Sequence, residues 1–480
     1  MSPPDPSFMA EAAALLGPRG WKTDPELVDP WLTDWRGRYA GRACALASPH
    51  NAREVAQIVA LCARHGVPIV AQGGNSGMSG GATPDASGTA LLLSLRRLNH
   101  IGEIDGAARQ VTCGAGVVLQ SLHEAAERSG LRFPLTLGGK GSATVGGLIS
   151  TNAGGSQVLR HGSMRAQVLG LEAVLAGGQL WSALTPLKKD NRGFDLKQLF
   201  IGSEGTLGIV TAATLKLEPA IAQRRVAWIG LPGIAAAREL LLRTEVAMGE
   251  ALEGFEVLPR NCLDTVLANN PEARAPLAAP HAWHALVEVV SADPAADLQG
   301  DLEALLESAL HAGVVEDAVI ASSESQADAF WTLRESISGA LRARGAAVQH
   351  DISVPVARMA AFVEFAIPEV ERSWPGCSAF AFGHLGDGNV HFHVTAPAGA
   401  VRGEWEAGPG KTVSRMVHDL VTQWHGSISA EHGIGQMKRD ELARLGDPVA
   451  LDLMERVKAA LDPMGLLNPG KLLAPRGSNA

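Results

Sequence analysis

The sequence predicts an α+β protein of more than one domain, and three observations carry that prediction. The chain has 480 residues, beyond what one hydrophobic core usually organises, so two or three domains are expected. Much of its glycine, 54 residues in all, is clustered, and the density falls after Glu218-Pro219. From about residue 220 to 425, strand-like and Ala/Leu-rich helical stretches alternate without Pro-rich linkers, repeats or low-complexity tracts. The expected division is 1–219, 220–425, and a C-terminal segment over 426–480.

The elements follow in order. Asn51 caps a helix in which Val55, Ile58, Val59 and Cys62 recur on one face, and Gly66 stops it. An apolar strand, Val67–Ala71, leads into a glycine loop, Gln72–Gly81. Strands Ala90–Leu95 and Arg109–Cys113 follow, then a helix Leu119–Ser129 ended by Gly130. A second glycine tract runs from Gly138 to Gly155 and a third, IGSEGTLG, over 201–208. In the second half Phe330–Ser338 is helical, and 379–395 is two strands joined by a Gly-Asp-Gly-Asn turn. The chain closes with a helix through Ala459–Leu461 running into a turn.

Composition narrows the function. A net charge of −9 argues against nucleic acid as a partner, since phosphate neutralisation needs a basic surface. A small anionic substrate stays open, because a few local cations can dominate one pocket. The five cysteines, Cys44, Cys62, Cys113, Cys262 and Cys377, contain no CxxC pair and read as reduced, mostly buried thiols. No basic leader precedes the short apolar run near the start, and no apolar stretch is long enough to span a membrane. A cytoplasmic location is the expectation.

Clustered glycines let main-chain N–H groups converge on a phosphate or pyrophosphate without Cβ interference. Each tract alone could equally be a tight turn. The dinucleotide fingerprint fails at Gly114-Ala-Gly116, with Leu119 where Gly is needed, and Gly139-Lys140 lacks the Ser or Thr of a P-loop. Three such tracts in one region are costly in backbone entropy, and a large phosphate-bearing cofactor lying along them would offset that cost.

The second half supplies candidate ligands. In GHLGDGNVHFH (383–393), the turn brings His384 and His391 near each other, with Cβ atoms facing across the strands about 5 Å apart. His393, two residues on, shares a face with His391. Glu431-His432 in SAEHGIG (429–435) adds a carboxylate. Two imidazoles and a carboxylate suit Zn²⁺ or another borderline divalent ion, with a position left for substrate. A single such histidine is more often a core residue bonded to backbone, and Glu431-His432 alone could be a helix cap. Arg334 and Ser338, four apart, share a helix face, where an Arg fork fits a carboxylate and the bland reading is a surface ion pair.

Residues 40–219 resemble the FAD-binding domain of the vanillyl-alcohol-oxidase/p-cresol-methylhydroxylase superfamily, in its D-2-hydroxyglutarate and D-lactate dehydrogenase branch. The segments that carry the resemblance are QGGNSGMSGG (72–81), 133–155, 159–178, 187–211 and DPMGLLNPGK (462–471). The resemblance implies a two-subdomain FAD-binding domain, an α+β substrate (cap) domain over 220–425, and a C-terminal segment that returns to the flavin. Non-covalent FAD is implied on Gly73, Gly74, Asn75, Ser76, Gly77, Met78, Ser79, Pro134, Gly138, Gly141, Ser142, Thr144, Gly147, Asn152, Gly154, Gly155, Glu204, Gly205, Ile209 and Asn468. No histidine in 72–81 offers a covalent link.

By the same resemblance His384, His391 and Glu431 hold a divalent metal, with zinc preferred to manganese or cobalt. His432 is implied as base, and Arg334, Ser338, Gln349, His393 and His432 as substrate contacts. Gln349 replaces a family Lys and His393 a family Asn, which puts the substrate's identity in doubt but not the chemistry. The activity implied is oxidation of a D-2-hydroxy acid, D-2-hydroxyglutarate first, with D-lactate or another such acid as the alternative. An electron-transfer flavoprotein or a quinone-linked carrier is the implied acceptor, and a homodimer is compatible with the resemblance. The rivals are a metallohydrolase and a non-catalytic FAD subunit of a glycolate-oxidase-like complex.

Overall fold

A computed structural model describes residues 4–187 and 189–474. The chain divides into two compact units: unit 1 comprises residues up to 155, 161–220 and 431 onward, and unit 2 comprises 156–160 and 221–430.

Unit 1 contains β1 (Trp21–Lys22), β2 (Ala45–Ala47), β3 (Ile69–Gln72), β4 (Leu91–Ser94), β5 (Gln110–Gly114), β6 (Leu131–Arg132), β7 (Val168–Val174), β8 (Leu180–Ala183), β9 (Ile209–Lys216) and β10 (Glu218–Pro219). One sheet has the order β1-β2-β4-β3, with β2 and β3 parallel to β4. A second, antiparallel sheet has the order β5-β9-β7-β8, and β6 pairs with β10.

The helix Ala52–His65 packs on the first sheet as its periodicity predicts. Asn51 Oδ1 accepts the Glu54 N–H at 2.9 Å, and Gly66 ends the helix in the left-handed region. Val55, Ile58, Val59 and Cys62 are fully buried, each aliphatic side chain contributing about 1.5–3 kcal/mol of transfer free energy. The strand expected from Val67 begins instead at Ile69. The Val67 N–H still bonds back to Cys62 O, and Pro68 has no N–H to give a sheet. The helix expected to reach Ser129 ends at Glu127, with Gly130 taking the turn at φ +67°.

After the helix Pro448–Leu461 the chain runs beside β3. Ile69 N–H donates to Leu466 O and Asn468 N–H to Ile69 O, both at 2.8 Å. Buried Asp462 accepts the N–H groups of Leu466 and Leu467, and Lys458 Nζ donates to Asp462 and to Thr206 O. These bonds deliver Asn468 to the glycine tracts.

Unit 2 is built on β11 (Gln223–Leu231), β12 (Leu252–Pro259), β13 (Trp283–Ser291), β14 (Asp317–Ile320), β15 (Ala347–Ser353), β16 (Ser378–His384) and β17 (Asn389–Thr395). They form one antiparallel sheet in the order β14-β11-β13-β12-β16-β17-β15. One face buries Phe255, Val287 and Phe392 together with Leu240, Leu302, Phe362 and Val417 from four helices. The other buries Trp228, Leu258 and Phe380 with Phe330 and Ile337 of the helix Glu324–Ala343. This second face carries the polar row described below.

All five cysteines are free, and four of them are buried. Burial pushes the Cys44 thiol up to about 11 and that of Cys113 to about 12, so both stay protonated near neutral pH. No helix among the described residues is long and apolar enough to cross a membrane.

Candidate active site

In unit 1 the glycine tracts interlock. A Cβ on Gly73 would sit 2.2 Å from Thr144 Oγ1, and one on Gly74 would sit 1.7 Å from the Ser142 carbonyl oxygen. Both positions therefore demand glycine so that the first loop can lie on the second. Arg96 pins the carbonyls of Gly73 and Gly74 at 3.1 and 3.0 Å, while Gln72 Nε2 ties the loop base to Trp31 O and Ala82 O. Asn75 adopts φ +54° and donates its amide to Thr33 O. With those carbonyls held, the loop backbone is fixed against the second tract.

The site's edge is open. A Cβ on Gly77, Gly138 or Gly141 would meet nothing within 4 Å, and Thr144 Oγ1 is buried without a protein hydrogen bond. A cradle of bare backbone with an orphaned hydroxyl fits a phosphate-bearing cofactor. Ser76, Met78 and Gly147 are half-buried around it, Ser142 is exposed, and Pro134 and Gly154 are buried.

Several residues expected to touch the cofactor hold the loops by bonds and packing of their own. Asn152 caps its helix in the left-handed region, and its amide oxygen accepts from Ser163 Oγ and Arg165 N. Gly155 lies where a Cβ would be 2.2 Å from Thr136 O. Ile209 is packed in the apolar core, and Gly205 supplies a turn at φ +72°. Asn468 donates its amide to Gly81 O and Glu204 O, at 2.9 and 2.7 Å.

Glu204 grips the loop that contains Glu431 and His432. Its Oε1 accepts the Ile434 N–H and its Oε2 the Gly435 N–H, each at 2.7 Å. Burial pushes this carboxyl above its usual range, against the pull of those two N–H groups and of Lys438. Ser79 Oγ donates to the carbonyls of His432 and Gly433. Gly435, at φ +54°, is fixed as glycine, since a Cβ would lie 2.1 Å from Ser79 O. Residues 431–435 form a loop, not a helix cap, so unit 1 gathers the first glycine tract, the 201–208 tract, Asn468 and the Glu431-His432 loop into one region.

In unit 2 the hairpin of β16 and β17 forms as expected, with one difference in register. His384 stands opposite Asn389, and His391 opposite Phe382. The two histidines are therefore diagonal neighbours on one face, not a directly facing pair, because the loop between the strands is Leu385–Gly388 and His391 lies two residues into β17. Their ring centroids are still 5.5 Å apart. His391 and His393 both pack on the Phe382 ring, at 5.2 and 5.0 Å. His393 pairs in register with Gln349 of β15, and Ser338 is half-buried one helical turn beyond Arg334.

Glu256, which no motif announced, organises this face. It is fully buried on β12, directly opposite His384 of β16. Oε2 accepts from Arg334 Nε at 2.8 Å, and Oε1 is in contact with His384 Nδ1. Burial pushes the Glu256 carboxyl up, but Arg334 and His384 overrule it and hold it well below the usual carboxylate range. The Arg334 guanidinium also lies 5.1 Å above the Phe382 ring.

Asp351 Oδ1 lies 3.9 Å from His391 Nδ1 and accepts from Asn389 Nδ2 at 2.8 Å. Burial, Arg334 and His384 hold the His391 imidazole well below its ordinary value, as the neutral base a metal ligand must be. Two imidazoles, each beside a carboxylate, form a donor pair that fits a borderline divalent cation. The only sequence signal for Glu256 was a Glu on an apolar strand.

Comparison with known proteins identifies relatives of both units. Residues 43–183 match the family model described as "FAD binding domain", and residues 221–472 match "FAD linked oxidases, C-terminal domain". The chain is 38% identical over 458 residues to the mitochondrial D-2-hydroxyglutarate dehydrogenase of Bos taurus, covering 94% of this chain and 80% of the relative. It is 36% identical over 468 residues to D-2-hydroxyglutarate dehydrogenase of Xanthomonas citri pv. viticola, covering 98% and 97%. Among solved structures, p-cresol methylhydroxylase with substrate bound superposes with a TM-score of 0.74 at 16% identity, covering 97% and 96% of the two chains. That likeness bears on fold alone, and it agrees with the vanillyl-alcohol-oxidase-type architecture expected.

Proposed function

Because this chain belongs to the FAD-linked oxidase family and aligns along nearly its whole length with D-2-hydroxyglutarate dehydrogenases, it is a FAD-dependent D-2-hydroxy acid dehydrogenase, and we propose that its substrate is D-2-hydroxyglutarate, oxidised to the 2-oxo acid. The observation that carries the proposal is the row Arg334–Glu256–His384 with His391 beside it. It combines a carboxylate-binding cation with imidazoles suited to a metal on one sheet face.

In this reading His384 and His391, with Glu431 as the carboxylate, hold a divalent cation, zinc by preference. When bound, such an ion acts as a Lewis acid that makes the 2-hydroxyl easier to deprotonate. FAD held by the glycine tracts would supply the hydride acceptor for C2. The rest falls to the protein. His432 removes the hydroxyl proton, a task suited to an imidazole's ring nitrogen. Arg334 receives a substrate carboxylate through its terminal nitrogens, its Nε being committed to Glu256, and Ser338 adds a hydroxyl. That contact chiefly orients the C2–H bond. Electrons then leave to an electron-transfer flavoprotein or a quinone-linked carrier.

One observation favours a second substrate, D-lactate or another short D-2-hydroxy acid. Gln349 and His393 face each other across β15 and β17, and neither supplies a permanent positive charge for a second carboxylate. Anaerobic flavin reduction against a panel of D- and L-2-hydroxy acids tests both readings. Fast bleaching by D-2-hydroxyglutarate with slow bleaching by D-lactate supports the first, and the reverse order supports the second. Bleaching by L-acids alone overturns both.

A further inference from the structure

We propose that Glu256 is a positioning residue that fixes the tautomer of His384 and the plane of Arg334 together, so that one buried carboxylate sets both the metal-facing nitrogen and the substrate-facing fork. The inference rests on the metal reading above. Glu256 is 0% exposed, so it does not reach a substrate itself. It stands in register with His384 on the neighbouring strand, and its two oxygens face two different groups, Arg334 Nε and His384 Nδ1.

The chemistry follows from counting donors and acceptors. An ionised carboxylate only accepts, so it can satisfy both neighbours. A guanidinium only donates, which commits Oε2. A carboxylate facing Nδ1 keeps the proton there, so the lone pair of His384 resides on Nε2, the nitrogen directed to a metal. The same Oε2 contact holds Arg334 by its Nε and leaves the plane of its two terminal nitrogens defined. Burying a carboxylate costs several kcal/mol before pairing. An ion pair with Arg334 alone would offset that cost, but it would not require the second oxygen to meet His384.

Glutamine at this position would have one acceptor for two donors. The permanently charged Arg334 would take the amide oxygen and turn the NH₂ toward His384. The imidazole would then have to accept at Nδ1 and carry its proton on Nε2, where a metal cannot bind. Removing Arg334 at the same time frees the amide oxygen to turn back to His384. Glu256→Gln/Arg334→Met therefore keeps an acceptor for Nδ1, whereas Glu256→Leu/Arg334→Met does not. Both pairs are neutral, which avoids leaving a lone buried charge.

The test uses FAD-loaded holoenzyme dialysed against a chelator and titrated with Zn²⁺ alone, with flavin content and melting temperature recorded for each variant. Loss of a partner behind a ligating histidine typically weakens metal binding about 10- to 100-fold. That loss is expected for Glu256→Gln and for Glu256→Leu/Arg334→Met, while Glu256→Gln/Arg334→Met stays within about threefold of wild type. Arg334→Met alone is expected to keep Zn²⁺ affinity and raise the KM for D-2-hydroxyglutarate. Equal Zn²⁺ affinity in the two double variants overturns the inference, even if the single Glu256→Gln protein does not fold. Wild-type holoenzyme that takes up no Zn²⁺ overturns the metal reading itself, and the inference falls with it.

Discussion

Replacing Glu204 offers a direct measure of how firmly the loop bearing Glu431 and His432 is held. The carboxylate accepts two main-chain N–H groups at 2.7 Å and is buried. Glu204→Ala leaves both donors without their acceptor, at about 1–3 kcal/mol each, or about 2–6 kcal/mol for the loop. Glu204→Gln keeps one acceptor and presents an NH₂ to the other N–H, so it should lose about half of that. The Ser79 bonds to His432 O and Gly433 O remain in both variants, so the loop should loosen without leaving.

If His432 is the base, as proposed, a loosened loop misplaces it, and a displacement near 1 Å can cost about 100-fold in rate. The expected order of kcat is therefore wild type, then Glu204→Gln, then Glu204→Ala, the last reduced about 100-fold or more. Flavin content should stay near wild type, because Arg96 and Gln72 hold the first glycine loop independently. Hydrogen exchange at the amides of Ile434 and Gly435 reports the loop directly and should accelerate in the same order. Unchanged exchange in Glu204→Ala would refute the anchoring argument. Flavin lost in step with activity would show that Glu204 acts on the cofactor instead.

Three further outcomes are expected. Gly74→Ala places a Cβ 1.7 Å from Ser142 O, so the purified protein should be colourless; a normal flavin-to-protein absorbance ratio would contradict the interlocked-loop description. His432→Ala and His384→Ala should each abolish turnover while FAD stays bound, and near-wild-type activity in either would reject its assigned role. His284 Nδ1 accepts from buried Trp228 Nε1 at 3.1 Å, and burial holds its pKa down to about 4 from 6.5. The unfolded chain thus binds more protons between those values, so stability is full above about pH 6.5 and falls by about 3 kcal/mol as the pH drops to about 4. His284→Gln should flatten that part of the melting-temperature profile, and parallel profiles would remove His284 as the cause.

What the sequence disclosed follows the range of the interactions involved. The helix Ala52–His65 was legible because its cap, its apolar stripe and its terminating glycine lie within one stretch of chain. The β16–β17 hairpin was legible for the same reason, yet its register was not, since the placement of His384 against Asn389 depends on how Leu385–Gly388 closes. The strand order of unit 2 was beyond reach. It puts β12 beside β16 and β17 beside β15, pairings that no local pattern encodes. Gly74 and Gly155 were read as cofactor contacts, yet a neighbouring carbonyl about 2 Å from where a Cβ would stand by itself demands glycine at both. Close approach and ligand contact leave the same letter in a sequence.

Two acids behind the candidate site residues, Glu204 and Glu256, show why motif reading stops where it does. Each is buried, each spends both carboxylate oxygens on donors within its own unit, and those donors lie far away in sequence. Glu204 lay inside a recognised tract, but its bonds to Ile434 and Gly435 were not foreseen. Glu256 lay in no tract at all. A carboxylate that accepts two fixed donors constrains them more tightly than any apolar residue could, because moving either donor exposes a buried charge. The histidines and the arginine stood out as candidates in the sequence, but how they are held is decided by acids whose partners only the fold reveals. Variants of these two residues should therefore change geometry as well as stability, and hydrogen exchange or metal affinity reads the geometry, which a melting temperature does not.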